Sequence, residues 1–255
     1  MGSITAVGIP TGARELPAAL AIPTHAGRHR AVIVIHELFG LNDDIRSIAG
    51  RFADAGYLAV VPDFLAGLGP QPLCVVRFAQ GLGHVGTGRP YRQLADVRQW
   101  LFGRPDVDAT RVGVAGFCIG AGLALLYAES AGDLAVVAPF YAPVTPEIER
   151  GVARLCPTVA SYGGRDRIFG AMGARLDAAL TQAGIEHDVK TYPSAGHSFM
   201  SRHGGISGWL APRTPLHARY DPAAADDAWR RVLAFFDKHL RGADGAVGAL
   251  AAEPV

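Results

Sequence analysis

Cysteine is scarce in this sequence, which has only Cys74, Cys118 and Cys156. The number is odd and no two of them form a C-x-x-C pair, so the pattern indicates neither a disulfide framework nor a zinc knuckle. The histidines likewise show no H-E-x-x-H or other metal-binding spacing. We therefore expect a protein of a reducing compartment, and these spacings give no reason to expect a metal site.

Long apolar runs and an excess of one charge are also absent. No run reaches the ~18 residues that a membrane-spanning helix needs, and the first residues lack the charged and apolar regions of a signal peptide. The formal net charge of +1 gives no electrostatic reason to expect a nucleic acid or an anionic membrane as partner. We expect a soluble, cytoplasmic protein.

What the sequence does have is a regular alternation of strand and helix patterns over most of its 255 residues. Residues 31–36 and 57–61 are short apolar runs with little polar interruption, typical of strands buried on both faces. Between them lies a helical pattern that Asn42 can cap. No repeat or linker interrupts the alternation, so we predict an α/β fold: one domain over residues 1–241, with a doubly wound, mostly parallel sheet and helices on both faces.

Some segments depart from this alternation. Residues 64–90 contain six glycines and three prolines, and we expect there an excursion over the sheet, where a lid or substrate-binding loop would lie. Residues 203–222 are a second predicted loop. The tail at 242–255, rich in alanine and glycine, is predicted to be flexible. A strand predicted at 134–138 is expected to end at Pro139.

Residues 112–122 are the most informative stretch, because an apolar run leads through Gly116-Phe117-Cys118-Ile119-Gly120 into a helical pattern. This is the strand–turn–helix context of a nucleophile elbow, G-x-Nu-x-G, with cysteine as the nucleophile. The turn is sharp, and side chains at the two glycine positions would collide with the neighbouring strand and helix. An inert buried cysteine in a glycine-rich turn is the alternative that the motif alone leaves open.

Three further polar residues follow predicted strands: Glu37, Asp166 and His197. In a doubly wound sheet the loops after the carboxyl ends of strands carry the functional groups. The order Cys118, Asp166, His197 is nucleophile, acid, base, the order expected of an α/β-hydrolase triad. Each residue has a simpler interpretation as well: a turn aspartate, a solvated loop histidine, and an exposed glutamate or one paired with an arginine.

The sequence resembles the dienelactone hydrolases of the α/β-hydrolase superfamily in six motifs, which together extend over roughly residues 30 to 240. The motifs are His36-Glu-Leu-Phe-Gly-Leu41, Val61-Pro-Asp-Phe64, Gly113-Val-Ala-Gly-Phe-Cys118, Tyr162-Gly-Gly-Arg-Asp166, Tyr192-Pro-Ser-Ala-Gly-His-Ser-Phe199 and Ala228-Trp-Arg-Arg-Val-Leu-Ala-Phe-Phe236.

The resemblance implies a hydrolase of carboxylic esters or lactones that is monomeric and needs no cofactor. Its triad would be Cys118, His197 and Asp166, acting through a thioester intermediate. It also implies that Glu37 contacts the thiol in the resting enzyme, where a carboxylate disfavours the thiolate. Backbone N–H groups of Ile119 and Leu38 would bind the oxyanion of the tetrahedral intermediate.

Members of this family that cleave dienelactone use arginines to bind the substrate carboxylate, one of them shortly after the catalytic histidine. Arg202 comes near that place but one residue late. Arg77, Arg89 and Arg92, in or just after the 64–90 segment, could each supply a second contact. Two other functions stay open. One is a non-catalytic ligand-binding protein with this fold; the other is a redox-responsive thiol protein, against which the absence of a nearby resolving cysteine argues.

Overall fold

The computed structural model describes residues 2–70, 73–202 and 211–241, and within them one eight-stranded sheet carries the fold. The strand order is β1-β2-β4-β3-β5-β6-β7-β8; β1 and β2 run antiparallel to their neighbours and the other strands are parallel. The strands are β1 Ser3–Thr11, β2 Arg14–Ile22, β3 His29–Ile35, β4 Leu58–Pro62, β5 Val107–Phe117, β6 Val136–Phe140, β7 Thr158–Gly163 and β8 His187–Tyr192. The predicted tail at 242–255, and residues 71–72 and 203–210 of the two predicted loops, lie outside the described residues.

Helices connect the parallel strands and cover the sheet. The first begins after Asn42, whose side-chain oxygen accepts from the N–H of Ile45 at 3.0 Å, so the predicted cap is confirmed. The helices are α1 Asp43–Asp54, α2 Leu73–Leu82, α3 Arg89–Phe102, α4 Ile119–Ala131, α5 Pro146–Gly151, α6 Met172–Ala183 and α7 Pro222–Phe236, followed by a π-helical turn at Asp237–Arg241. Short 3-10 turns lie at Val152–Arg154 and Ala211–Arg213.

The apolar core lies in two layers, one on each face of the sheet. Strand β3 shows how the sequence produces them: Ala31, Ile33 and Ile35 belong to the layer under α3, α4 and α6, while Val32 and Val34 belong to the layer under α1 and α7. Successive side chains of a strand point to opposite faces, so an uninterrupted apolar run fills both layers. The predicted fold class, an α/β-hydrolase fold with helices on both faces, is confirmed.

Two elements differ from their predictions. Strand β6 continues through Pro139 to Phe140, because the N–H groups of Val137 and Tyr141 on either side donate to carbonyls of Pro157 and Ser161, on the β7 side. Proline removes one ladder bond without ending the strand there. The apolar periodicity of the sequence predicts a last helix over residues 226–240, but helix α7 begins at Pro222, because Asp221 caps it and proline suits a first turn.

Arg231 of α7 connects this helix to the two last strands. Its side chain is 14% exposed, and its guanidinium donates to Ser161 Oγ in β7 at 3.0 Å, to Tyr192 OH at 3.2 Å and to Asp188 Oδ2 at 2.8 Å in β8. Charged and neutral acceptors from neighbouring strands thus share one planar donor group. This arginine therefore fixes α7 beneath the strands from which two of the predicted site loops leave.

Candidate active site

Cys118 lies at the turn between β5 and α4 with φ 54° and ψ −121°. A side-chain-bearing residue rarely adopts such a positive φ. The two glycines of the motif make the turn possible: a Cβ on Gly116 would lie 2.5 Å from the carbonyl oxygen of Gly120, and one on Gly120 would lie 2.4 Å from that of His36. The predicted elbow geometry is therefore present, with the sulfur above the amino end of α4.

Asp166 and His197 meet because β7 and β8 are neighbouring parallel strands and each residue follows its strand. Asp166 Oδ2 lies 2.7 Å from His197 Nδ1, and Asp166 Oδ1 accepts from the N–H groups of Ile168 and Phe169 at 2.9 and 3.0 Å. A carboxylate only accepts, so Nδ1 carries the proton and Nε2 has the free lone pair. Nε2 is buried and has no hydrogen-bond partner among the described residues.

The Cys118 thiol is held in its protonated form. Burial is the main reason why its pKa rises to about 12, and the negative charges of Glu37 and, less strongly, Asp166 add to the effect. A hydrogen bond from the Ile119 N–H acts in the opposite direction. The sulfur therefore needs a base to become nucleophilic at neutral pH.

Glu37 follows β3 and is buried beside the thiol, with 4% of its surface exposed. Its Oε1 accepts from Tyr141 OH at 2.7 Å and from Ser201 Oγ at 3.1 Å. Burial, with the charge of Glu37 as a second cause, raises the pKa of Tyr141 well above its usual range, so the phenol keeps its proton and donates. Neither hydroxyl was singled out from the sequence, although Tyr141 directly follows the carboxyl end of β6, where functional groups were expected.

His36 is a third residue to which the sequence motifs assign no role. It is fully buried; Nδ1 lies 2.7 Å from the Glu37 carbonyl oxygen, and Nε2 accepts from the Phe64 N–H at 3.0 Å. Burial lowers its pKa, against the opposing effects of the Glu37 carbonyl and of Asp63. The neutral imidazole therefore bridges the loops after β3 and β4 and fixes the backbone that carries Glu37 and Leu38.

A cavity of about 380 Å³ opens beside the sulfur. Its described lining is mostly apolar and brings together five of the predicted site residues, while Asp166 lies behind His197. The lining residues are Glu37, Leu38, Phe39, Cys118, Ile119, Pro143, Phe169, His197, Ser198, Ala211, Leu216 and Ala218. The second predicted loop thus contributes Ala211, Leu216 and Ala218, whereas no described residue of the 64–90 segment lines the cavity, contrary to the expectation of a substrate-binding loop there.

The two predicted arginines do not line the cavity either. The guanidinium of Arg202 stacks on the ring of Tyr220, 4.2 Å from its centroid, and Arg77 Nη1 donates to the Leu68 carbonyl at 2.8 Å. Ser201, the residue before Arg202, is the one that points to Glu37. In the part of the chain that is described, no His, Cys, Asp or Glu cluster of three or more could hold a metal ion, and no helix has the length and apolarity to cross a membrane.

Comparison with known proteins agrees with this architecture. The model of the dienelactone hydrolase family matches residues 16–240. A Yersinia pestis protein provisionally named a carboxymethylenebutenolidase is 28% identical over 91% of this chain and 86% of its own length, and a carboxymethylenebutenolidase of Rhodococcus opacus is 28% identical over 84% of this chain and 83% of its own. The crystal structure of a Klebsiella pneumoniae protein, provisionally described as a dienelactone hydrolase, superposes with a TM-score of 0.77 at 26% identity and covers 93% of this chain and 99% of its own.

Proposed function

The chain belongs to the dienelactone hydrolase family and is a hydrolase of that type, and we propose that it cleaves a carboxylic ester or lactone through Cys118, His197 and Asp166. One observation carries the proposal: His197 is fixed by Asp166 through Nδ1, while its buried, unpartnered Nε2 belongs to a residue that lines the same cavity as Cys118. A base oriented by a carboxylate beside a nucleophile at an elbow is the arrangement that acyl transfer requires.

In the first half of the reaction Cys118 Sγ attacks the carbonyl carbon as its proton passes to His197 Nε2. Asp166 stabilises the imidazolium that forms. We expect the oxyanion to accept hydrogen bonds from the N–H groups of Ile119 and Leu38, two residues that line the cavity. The intermediate then collapses, the carbon–oxygen bond breaks, and His197 returns the proton to the leaving alcohol, which leaves a thioester on Cys118.

In the second half a water molecule gives a proton to His197 as it attacks the thioester carbonyl. The carbon–sulfur bond breaks, the acid is released, and the sulfur recovers its proton from His197. For a lactone the alcohol and the acid are parts of one product, so it leaves only after this second half. No oxidant, reductant or cofactor is consumed in either half.

Glu37 has a separate role in the proposal, as a negative charge that keeps the resting thiol protonated. Its charge is the second cause of the raised thiol pKa, after burial. A thiol protected in this way reacts slowly with oxidants and alkylating agents, and is activated when a bound substrate lets His197 take the proton. Movement of Glu37 on substrate binding would lower the barrier to thiolate formation further.

The test is hydrolysis of cis- and trans-dienelactone and of a short p-nitrophenyl ester by the wild type and by Cys118→Ala. We expect turnover that disappears in Cys118→Ala, and an acid-quenched thioester that mass spectrometry assigns to the peptide containing Cys118. Cys156→Ala is the matched control, since Cys156 lies just before the amino end of β7, whereas Cys118 follows the carboxyl end of β5. Turnover that survives in Cys118→Ala would contradict the proposal, and ligand binding without Cys118-dependent turnover would favour a non-catalytic binding protein.

A further inference from the structure

The walls of the cavity beside Cys118 are formed largely by hydrocarbon. Leu38, Ile119, Pro143, Phe169 and Leu216 line it, with Phe39 at the rim, where this side chain is 46% exposed. Among the described lining residues there is no lysine and no arginine. Such walls gain free energy by covering apolar groups of a ligand and provide no counter-charge for an ionised one.

The charges near the sulfur are negative. Glu37 lines the cavity, and Asp166 lies directly behind His197. Burial is the main cause of the raised pKa of the Cys118 thiol, and the charges of Glu37 and, less strongly, Asp166 add to it, so both carboxylates disfavour an anion there. A substrate carboxylate would lose its hydration on entering and would meet two like charges. The donors expected for the transient oxyanion are the backbone N–H groups of Ile119 in the elbow and Leu38 after β3.

The arginines that could have balanced a substrate carboxylate are bound elsewhere. Arg202 stacks on Tyr220 and Arg77 holds the Leu68 carbonyl. A neutral hydroxyl, that of Ser201, is what this loop presents to Glu37 instead. The sequence of 203–210 adds no lysine or arginine. The chain therefore supplies no guanidinium at the described walls of the cavity.

From these observations we propose that this site selects neutral esters or lactones with an apolar group beside the scissile bond and rejects substrates that carry a free carboxylate. The inference rests on the proposed function, because it concerns the substrate of the Cys118 reaction. The inference differs from what the family resemblance implied, namely that arginines bind the carboxylate of a lactone substrate.

The first experiment compares matched pairs in which one member carries a free carboxylate and the other is neutral. One pair is p-nitrophenyl hexanoate and mono-p-nitrophenyl adipate, which have six-carbon acyl chains; the other is cis-dienelactone and its primary amide. We expect kcat/KM to be at least about a hundredfold higher for the neutral member of each pair, because the anion is neither hydrated nor paired in the site. Equal values, or preference for the anion, would overturn the inference.

A chain-length series tests the apolar part of the proposal. From p-nitrophenyl acetate to butyrate to hexanoate we expect kcat/KM to rise about threefold for each added methylene until the cavity is filled. A flat profile would contradict an apolar binding wall. In every series Cys118→Ala separates a failure of the proposed function from a failure of the substrate inference. Turnover that persists in this variant would contradict the proposed function. Turnover that depends on Cys118 but favours the anion would contradict the inference alone.

A second measurement needs no turnover. Iodoacetamide and iodoacetate differ mainly in charge, and peptide mapping separates the Cys118 adduct from those of Cys74 and Cys156. We expect the ratio of the two alkylation rates at Cys118 to exceed the ratio for glutathione at least about tenfold, because the potential at the sulfur repels the anion. A ratio equal to that of the free thiol would overturn the inference even if no tested ester were hydrolysed.

Variants locate the cause of the selectivity. Phe39→Arg places a cation at the exposed rim, and we expect it to shift the adipate-to-hexanoate ratio of kcat/KM about tenfold towards the anion, with Phe39→Gln as the uncharged control. Arg202→Ala and Arg77→Ala should leave the ratio unchanged. A selective loss of adipate turnover in either alanine variant would show that the removed arginine binds the carboxylate and would contradict the inference.

Discussion

Two carboxylates lie near Cys118, and their hydrogen-bond partners hold them in different ways. Asp166 and Glu37 are equally buried, each 4% exposed. Backbone N–H groups of Ile168 and Phe169 hold one oxygen of Asp166, which leaves the other for His197. The described hydrogen bonds of Glu37 come from the side-chain hydroxyls of Tyr141 and Ser201.

This difference separates two uses of a buried negative charge. Asp166 is fixed by backbone N–H groups and is bonded to His197, so in the proposed reaction its charge would stabilise an imidazolium. Glu37 is fixed by two particular side chains and acts on the thiol through its field. Substitution of Asp166 should therefore affect turnover. Substitution of Glu37 or of its hydroxyl donors should affect the reactivity of the resting thiol or the stability of the fold.

The largest effect is expected from Asp166→Asn. An amide can donate to Nδ1 and so favours the tautomer with its proton on Nε2, which cannot accept the thiol proton. We expect kcat to fall about 10³- to 10⁴-fold with little change in KM. Steady-state kinetics measure this, with unfolding curves to show that the variant folds. Asp177→Asn, on the exposed side of α6, is the control and should stay within about twofold of wild type.

Glu37→Gln should act on the resting thiol instead. Removing the charge lowers the pKa of Cys118 from about 12, and each unit of decrease raises the thiolate fraction tenfold at a fixed pH below the pKa. We expect alkylation of Cys118 by iodoacetamide at pH 8 to accelerate at least about tenfold. Glu37→Asp retains the charge and serves as comparison; equal rates in wild type and Glu37→Gln would show that the charge does not protect the thiol.

Removing the donors of Glu37 should cost stability. Tyr141→Phe leaves a buried carboxylate without its 2.7 Å hydrogen bond, and we expect the free energy of unfolding to fall by about 1.5 to 3 kcal/mol, as for hydrogen bonds to charged groups. Ser201→Ala, with a 3.1 Å bond, should cost less. Urea titrations of each variant, alone and combined with Glu37→Gln, measure the coupling. Simple additivity of the two losses would argue that the contacts do not stabilise the charge.

The smallest effect concerns pH, because His36 fixes the backbone of the Glu37 loop. Burial lowers its pKa below the ordinary 6.5, so the unfolded chain takes up the proton first as the pH falls. Stability from this group is complete above about pH 6.5 and decreases below it, by up to about 1.4 kcal/mol per pH unit, until the folded-state pKa is reached. His36→Gln should make the unfolding free energy less dependent on pH between 6.5 and 5. An unchanged slope would mean that His36 does not contribute to it.

The sequence was sufficient for the features that depend on local signals. The glycines of 116–120 indicated the elbow, because each is required by a backbone within 3 Å of its missing Cβ. The meeting of Asp166 and His197 followed from consecutive strands β7 and β8 being neighbours. Apolar runs and helix caps likewise indicated the sheet, the helices and the fold class.

The features that the sequence did not predict depend on contacts between distant residues, for which there is no local sequence signal. Tyr141 and Ser201 reach Glu37 across 104 and 164 residues. The prediction for Arg202 assumed a side-chain direction in a loop where Ser198 has φ 51°, and no periodicity fixes directions in such a backbone. Composition identified the 64–90 segment as irregular, but could not indicate that none of its described residues lines the cavity.

The position of Arg231 bears on how such a site can change over generations. Because this arginine joins α7 to β7 and β8 beneath the points where the loops of Asp166 and His197 leave, the spacing of these two residues is inherited from the sheet. The loops beyond them, such as the part of 203–222 that lines the cavity, can then lengthen, shorten or exchange residues while Asp166 and His197 stay in place. Changes in these loops can therefore alter substrate specificity without changing the spacing of Asp166 and His197.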